Sequence, residues 1–136
     1  MDEGKKDEIH QWLLIAQRDL GAACLLKESE AYFLDIVVYH CQQSSEKALK
    51  AYLTYYDVIF PKTHDLRVLL GLCISIELEF QQLQDIAENL TSYAVAYRYP
   101  GNNIEPEVQE AEQAIKMAEF LLKFVNSVLP PDISLI

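Results

Sequence analysis

Apolar residues recur every three or four positions along most of this chain, which is the period of an amphipathic α-helix. Short breaks that contain Ser, Pro or Gly separate the periodic stretches. The pattern predicts five helices: about 6–27, about 31–58, a third that carries Leu66 to Cys73, about 79–97, and a fifth that Glu105-Pro106-Glu107 opens and Pro130-Pro131 ends.

Several residues at the breaks are expected to cap these helices. Ser29 is a suitable N-cap for the second helix, because a serine hydroxyl accepts a bond from a free helical N–H. Thr63 is expected to cap the third helix, with Asp65 in the first turn, where a carboxylate suits the positive end of the helix dipole. The segment 132–136, which follows the last prolines, is expected to be frayed or only loosely docked.

Connections of only a few residues require neighbouring helices to pack antiparallel. The predicted fold is therefore all-α, an antiparallel up-and-down bundle of four to five helices. A length of 136 residues is that of one domain, and the sequence contains no internal repeat or linker. We expect a single domain over residues 1–130, with a C-terminal tail over 131–136.

The charge and cysteine content restrict the classes of partner. A formal net charge of −10 repels phosphate backbones at long range, so we expect no DNA partner. No apolar run reaches the length of about 18 residues that a membrane span needs. The charged N-terminal segment has no secretory pattern, and Cys24, Cys41 and Cys73 are widely spaced. These features predict a cytoplasmic protein with buried, reduced thiols.

Arg98 is the most conspicuous charged residue. It is the only Lys or Arg between Arg67 and Lys116, a segment with eight acidic residues, and it lies at a predicted helix end between Tyr97 and Tyr99. One interpretation is a cation that complements the helix dipole. The other is a contact to an anion or phosphate, flanked by aromatic faces.

A second group of polar residues lies on the predicted second helix. His40, Gln43 and Lys47 share one face, because they are three and seven positions apart. Such a strip either faces solvent or lines a cleft between helices. Glu46 and Lys50 form a favourable i, i+4 pair, which favours a solvent-exposed edge.

His64 and Asp65 form a third candidate at a helix start. They fit either a general base with its orienting carboxylate or a capping arrangement. The three histidines lie far apart in the sequence and lack acidic residues at ligand spacing, so we expect no metal site and no cofactor.

Four segments of the chain together resemble the HEPN domain, a small helical domain of prokaryotic and higher eukaryotic nucleotide-binding proteins. They are Trp12 to Leu20, the block from Tyr39 to Ala51 (similar to "H-x-Q-Q-x-x-E-K-x-L-K-A"), Thr63 to Leu66, and Arg98-Tyr99-Pro100, followed by the helix from Glu110 to Ala118. The resemblance implies a helical bundle, commonly a homodimer. It also implies a nucleotidyltransferase protein partner, sometimes as toxin and antitoxin.

Many members of that family are metal-independent ribonucleases with an Arg, four to six residues, and then a His. After Arg98 this spacing reaches Asn103, Ile104 and Glu105, and none of them is a histidine. Without an imidazole, the motif lacks the acid/base group that a 2′-OH attack needs. Asn103 can still hydrogen-bond a phosphate.

We therefore expect a non-catalytic module that binds a nucleotide, a nucleotidyltransferase partner, or both. The candidate binding residues are Arg98, Tyr99, His40, Gln43, Lys47, His64, Asp65 and Asn103. One alternative is a ribonuclease in which His64 or His40 replaces the missing histidine. The other is a dimeric scaffold in which Arg98 only ties the two subunits together.

Overall fold

The computed structural model describes residues 1–29, 33–98, 100 and 105–135, and only the backbone of Arg98. Within these residues there are five α-helices, one 3₁₀ helix and no strand. They are α1 (Glu3–Glu28), α2 (Leu34–Tyr55), α3 (Leu66–Ile74), the 3₁₀ helix (Leu78–Leu83), α4 (Gln84–Arg98) and α5 (Val108–Val128). The predicted all-α bundle is confirmed.

Helix α2 is the centre of the bundle, since it contacts all four of the other α-helices. Its apolar residues are buried on nearly every side, from Val37 to Leu53. Two buried serines fit this position: the hydroxyl of Ser44 donates to the carbonyl of Ala16 on α1 (2.8 Å), and that of Ser45 donates to Cys41 (3.0 Å). A helix that is enclosed in this way can present polar groups to a site only where its neighbours leave a gap.

Specific contacts define the antiparallel directions of the helices. Along α1 and α2, Asp19 contacts His40 and the aromatic ring of Trp12 lies near the ammonium of Lys50. Between α1 and α5, Lys27 at the end of α1 forms an ion pair with Glu112 at the start of α5 (3.4 Å), while His10, early in α1, contacts Ile133 beyond the end of α5. Residues early in one helix therefore contact residues late in its neighbour, and the helices are antiparallel.

Several predicted helix ends are wrong by a few residues. Ser29 is the C-cap of α1, and Phe33 occupies the N-cap position of α2. Asp65 itself is the N-cap of α3, with its carboxylate accepting from the backbone N–H of Arg67 (2.9 Å). The hydroxyl of Thr63 instead accepts from the N–H of Asp65. The Thr63 hydroxyl and the Asp65 carboxylate therefore stabilise the same turn. Adjacent polar residues compete for the same cap, and the sequence does not rank them.

The C-terminal tail is docked, contrary to the expectation of a loose end. Ile133 is only 3% exposed and belongs to the core, and its carbonyl accepts from the imidazole of His10 on α1 (2.9 Å). The side-chain oxygen of Asn126 accepts bonds from the Ser134 hydroxyl and the Leu135 N–H. The tail therefore covers the end of the α1–α5 pair.

The cysteines are free thiols, as predicted. Cys41 and Cys73 are buried, and burial is the main cause that raises the pKa of each to about 12. Cys24 is only half-buried, so the prediction that all three thiols are buried is wrong for this one. Among the described residues, no helix is both long enough and apolar enough to cross a membrane.

Candidate functional site

The carboxylate of Glu46 on α2 is the centre of a buried polar cluster. One carboxylate oxygen (Oε2) accepts from the ammonium groups of Lys47 (2.7 Å) and Lys50 (2.9 Å). The other (Oε1) accepts from Nδ1 of His64 at 2.8 Å, with the amide of Gln42 at 3.4 Å. Four donors thus converge on one carboxylate, whose side chain is fully buried. We call these five residues the Glu46 cluster.

The donors of the cluster keep Glu46 ionised. Burial alone would raise the pKa of this carboxyl, but hydrogen bonds from Lys47, His64 and Lys50 outweigh it and hold the pKa at about 2. One negative charge is therefore matched by two ammonium groups. Before His64 is counted, the cluster carries an excess positive charge inside a chain of net charge −10.

A surface groove of about 300 Å³ adjoins the Glu46 cluster. Residues of α2, of the start of α3 with the loop before it, and of α4 form its walls. The lining residues are Tyr39, Gln42, Gln43, His64, Asp65, Arg67, Thr91, Ala94 and Val95. A concave surface of this size, largely apolar with a few convergent polar groups, is typical of a small-molecule site.

Contacts from α2, α4 and α1 hold the loop that carries His64. The side-chain amide of Gln42 donates to the backbone carbonyl of His64. The hydroxyl of Thr91 on α4 accepts from the N–H of Leu66 (3.2 Å), which fixes the start of α3. Earlier in the loop, the ring of Phe60 meets that of Trp12 edge-on, with centroids 6.4 Å apart. The position of His64 is therefore set by long-range contacts.

Asp65 is engaged by Arg67 and not by His64. The guanidinium of Arg67 donates to both carboxylate oxygens of Asp65, at 3.0 and 2.9 Å, and these bonds lower the pKa of Asp65. The residue that orients the His64 ring is Glu46. Of the two interpretations of His64 and Asp65, the structure supports capping for Asp65 and not the pairing with His64, because the Asp65 carboxylate accepts at the start of its own helix.

The structure brings four of the predicted site residues together. Gln43, His64 and Asp65 line the groove. Lys47 lies beside them, since its ammonium donates to the side-chain oxygen of Gln43 (3.1 Å) as well as to Glu46.

His40 lies outside the groove lining. Its Nδ1 is 3.0 Å from the carboxylate of Asp19 on α1, and both side chains are half-buried. His40 contacts Tyr39 of the groove wall, whose ring meets the imidazole edge-on with centroids 5.8 Å apart. The shared face of His40, Gln43 and Lys47 is thus divided between α1 and the groove.

The remaining candidates are described in part or not at all. The backbone of Arg98 ends α4, one turn after Ala94 and Val95 of the groove wall. Its side chain, like Tyr99 and Asn103, lies outside the described residues.

Sequence reasoning misjudged Glu46 and missed part of the groove wall. The Glu46–Lys50 pair was expected at a solvent-exposed edge, but Glu46 is fully buried and Lys50 nearly so, which contradicts that expectation. Glu46 and Lys50 do form the i, i+4 ion pair. The sequence does not show that Phe60 and His64 fold over this pair and bury it. Thr91 and Tyr39 carried no local signal of a site.

Within the described part of the chain, no three His, Cys, Asp or Glu side chains come together as a group that could hold a metal ion. The groove residues offer hydrogen bonds, charged groups and one exposed imidazole.

Comparisons with known proteins agree with this fold. The crystal structure of TT1696 from Thermus thermophilus is similar, with a TM-score of 0.72 and 24% identity over 89% of this chain and 98% of that chain. ST0689, an archaeal HEPN homologue, has a TM-score of 0.63 and 21% identity over 88% of this chain and 95% of that chain. No curated protein matches the chain significantly. A family model described as the HEPN domain matches residues 9–128, and the chain therefore belongs to the HEPN domain family.

Proposed function

We propose that this protein binds a nucleotide in the groove between α2, α3 and α4, without cleaving RNA. The observation that carries the proposal is the Glu46 cluster, which places two lysine ammonium groups and the His64 ring beside a concave, largely apolar surface. Buried polar networks in which the members are hydrogen-bonded to one another are rigid, so the donors are pre-organised before a ligand arrives.

The apolar wall suits a nucleobase. Tyr39 contributes an aromatic ring, while Ala94 and Val95 contribute small apolar side chains from α4. Val95 is 56% exposed. An aromatic face opposite small apolar groups accommodates a flat ring, and the side-chain amide of Gln43 at the rim can hydrogen-bond a base edge.

Basic side chains at and near the groove suit phosphate. The ammonium of Lys47 lies beside the groove residue Gln43, and His64 exposes its ring. Arg67 is more than half exposed on the same wall, where it is paired with Asp65. Arg98, at the end of α4, is included as a proposed phosphate contact, with Tyr99 and Asn103 close behind it in the sequence. The net charge of −10 favours a small anion over a long polyanion such as RNA.

One observation favours the second candidate, a ribonuclease with a displaced histidine. The imidazole of His64 is largely exposed, and its Nδ1 is hydrogen-bonded to the buried carboxylate of Glu46. A general base and its orienting acid have this arrangement. Incubation of purified protein with structured RNA in EDTA separates the two candidates. No cleavage above that of an Arg98→Ala control supports the binding module. Cleavage that both Arg98→Ala and His64→Ala abolish overturns it in favour of the enzyme.

Membership of the HEPN family motivates the partner proposals. We propose that the protein forms a homodimer and binds a nucleotidyltransferase, as in a toxin–antitoxin pair. We also propose that it is cytoplasmic. A monomer by light scattering at micromolar concentration would exclude the homodimer. If neither nucleotide nor partner binds but the dimer forms, the dimeric scaffold is the correct function.

Nucleotide binding is tested by calorimetric titration with ATP, ADP and GTP, and by thermal unfolding. A ligand present at about 100 times its dissociation constant adds about 2.7 kcal/mol of stability. Val95→Glu places a carboxylate in the groove without touching the core, and we expect it to weaken binding about tenfold or more. Val108→Glu is the matched control, since Val108 is 52% exposed at the start of α5 and outside the groove lining. No binding of any nucleotide, or equal loss in both variants, would refute the proposal.

A further inference from the structure

The two ring nitrogens of His64 have different surroundings. Nδ1 lies 2.8 Å from Oε1 of Glu46, whereas the side chain as a whole is 79% exposed at the groove. Because the Glu46 carboxylate is ionised, it can only accept, so Nδ1 must carry a proton and donate it. A neutral His64 therefore has its remaining nitrogen, Nε2, as a bare acceptor.

A bare acceptor cannot hydrogen-bond an ionised phosphate oxygen, which is also an acceptor, and at pH 8 the phosphate of a nucleotide is fully ionised. Nε2 can donate to phosphate only when the ring is an imidazolium, the form in which both nitrogens carry protons. Glu46 holds Nδ1 as a donor in either form of the ring, because its carboxylate can only accept.

We propose that binding of a phosphate-bearing ligand in this groove is coupled to the uptake of one proton by His64, with Glu46 as the positioning residue. This inference rests on the proposed function, and it specifies the part of the ligand that His64 recognises. The proton comes from solvent, adds to Nε2 and remains on the ring as the donor to phosphate. No covalent bond to the ligand forms or breaks.

The other charged groups around His64 come from three elements. On α2, Lys47 and Lys50 are bonded to Glu46, so they reduce the field of that carboxylate at the ring without replacing it at Nδ1. At the start of α3, Asp65 and Arg67 neutralise each other. Lys62 precedes His64 in the loop by two residues, and α4 contributes the uncharged Thr91, Ala94 and Val95 to the groove, with Arg98 at its end. Of the residues that the structure describes, Glu46 is the acidic group bonded to the ring.

His40 provides an internal control with the same local chemistry. Its Nδ1 is 3.0 Å from a carboxylate, that of Asp19, but it does not line the groove. If proton uptake came from any histidine–carboxylate pair, changing His40 would alter it as well.

The test is calorimetric titration with AMP at pH 8, where a histidine side chain is ordinarily neutral. Titrations in two buffers with different ionisation enthalpies give the number of protons taken up. We expect about one proton per AMP and, over the pH range in which that proton is taken up, an affinity that falls about tenfold per pH unit, as linkage of one proton requires. Adenosine, which has no phosphate, is expected to bind without uptake.

Two variants assign the proton. His64→Gln keeps a hydrogen-bonding side chain that cannot titrate, and uptake is expected to vanish, whereas His40→Gln is expected to retain it. Thermal unfolding verifies that both variants are folded. AMP binding to wild-type protein without proton uptake overturns this inference but leaves the proposed function intact. No AMP binding by protein that binds ATP overturns this inference alone, whereas no binding of any nucleotide overturns both. Equal uptake in wild type and His64→Gln assigns the proton to another group and refutes the role of His64.

Discussion

Glu46 is fully buried, and its carboxylate accepts bonds from two lysines and a histidine. Removing one partner from a buried charged cluster leaves the others uncompensated, which is more costly than the net contribution of the intact cluster. We therefore expect Glu46→Gln to destabilise the protein by about 3 kcal/mol at neutral pH. Denaturant unfolding measures this, with Glu88→Gln, an exposed glutamate on α4, as a control that stays within about 0.5 kcal/mol of wild type.

The same carboxyl predicts how stability depends on pH. Its pKa is lowered from an ordinary 4.5 to about 2 in the folded protein, so the unfolded state binds the proton more tightly. The stabilisation is fully present above pH 4.5 and is lost as the pH falls towards 2, a change of about 3 kcal/mol. Glu46→Gln should flatten the unfolding free energy over this range relative to Glu88→Gln. Equal pH dependence in the two variants would show that Glu46 is not the responsible group.

At the scale of elements, one hydrogen bond joins the end of α4 to the start of α5. The hydroxyl of Tyr97 donates to Oε2 of Glu110 (2.8 Å), and Oε1 of Glu110 accepts from the N–H of Glu107 at the N-cap of α5 (3.1 Å). Burial, and then the bond to Glu110, raise the pKa of Tyr97 to about 12. Glu110 thus both caps α5 and holds the helix that forms one groove wall.

A double-mutant cycle tests this junction. Tyr97→Phe and Glu110→Gln are expected to couple by about 1 kcal/mol in unfolding free energy, because either change alone removes the same charge-assisted bond. Tyr93→Phe, whose ring lies against Tyr97 on the same helix, serves as the control and should combine additively with Glu110→Gln. Additive effects of Tyr97→Phe and Glu110→Gln would mean that the bond does not join the two helices.

The elements themselves were predictable, and their ends were less so. The periodic stripe of α1, with Ile9, Leu13 and Ala16, is buried as expected. The fourth predicted helix is instead a 3₁₀ helix followed by α4. The 3₁₀ helix, Leu78–Leu83, still buries the apolar residues Phe80 and Leu83. Apolar spacing records which side faces the core, and it distinguishes the two helix types poorly over one or two turns.

At the scale of the whole molecule, the C-terminal tail contributes to the core. Ile133 is buried and Leu135 is 36% exposed, so the two residues form a matched pair. We expect Ile133→Ala to cost about 2 kcal/mol, from lost burial and the cavity left behind, and Leu135→Ala to cost less than about 0.5 kcal/mol. Equal effects in chemical denaturation would indicate that the tail is loosely docked after all.

The groove illustrates what local sequence cannot predict. Gln43 and Lys47 were found from helical spacing, because they lie on one helix. Helical spacing does not predict Glu46 as the partner of His64, because the two residues are 18 positions apart. They meet when the α2–α3 loop folds over α2. Thr91 joins the site through a similar long-range contact, to Leu66. Such convergence follows from topology and leaves no pattern in the residues around each position.

A second groove, of about 380 Å³ between α1 and α5, provides an internal comparison for the binding proposal. Gly21, Cys24 and Leu122 are among its lining residues. It is somewhat larger than the first groove, but it lacks the charged cluster. If size alone governed binding, a nucleotide would prefer this second surface.

The most direct test of the account is to titrate ¹⁵N-labelled protein with ATP and to map the amide shifts that change. We predict saturable changes at Gln43, Thr91 and Val95, with Gly21 and Leu122 unaffected. Absence of changes at millimolar ATP, or changes confined to the α1–α5 groove, would contradict nucleotide binding at the Glu46 cluster.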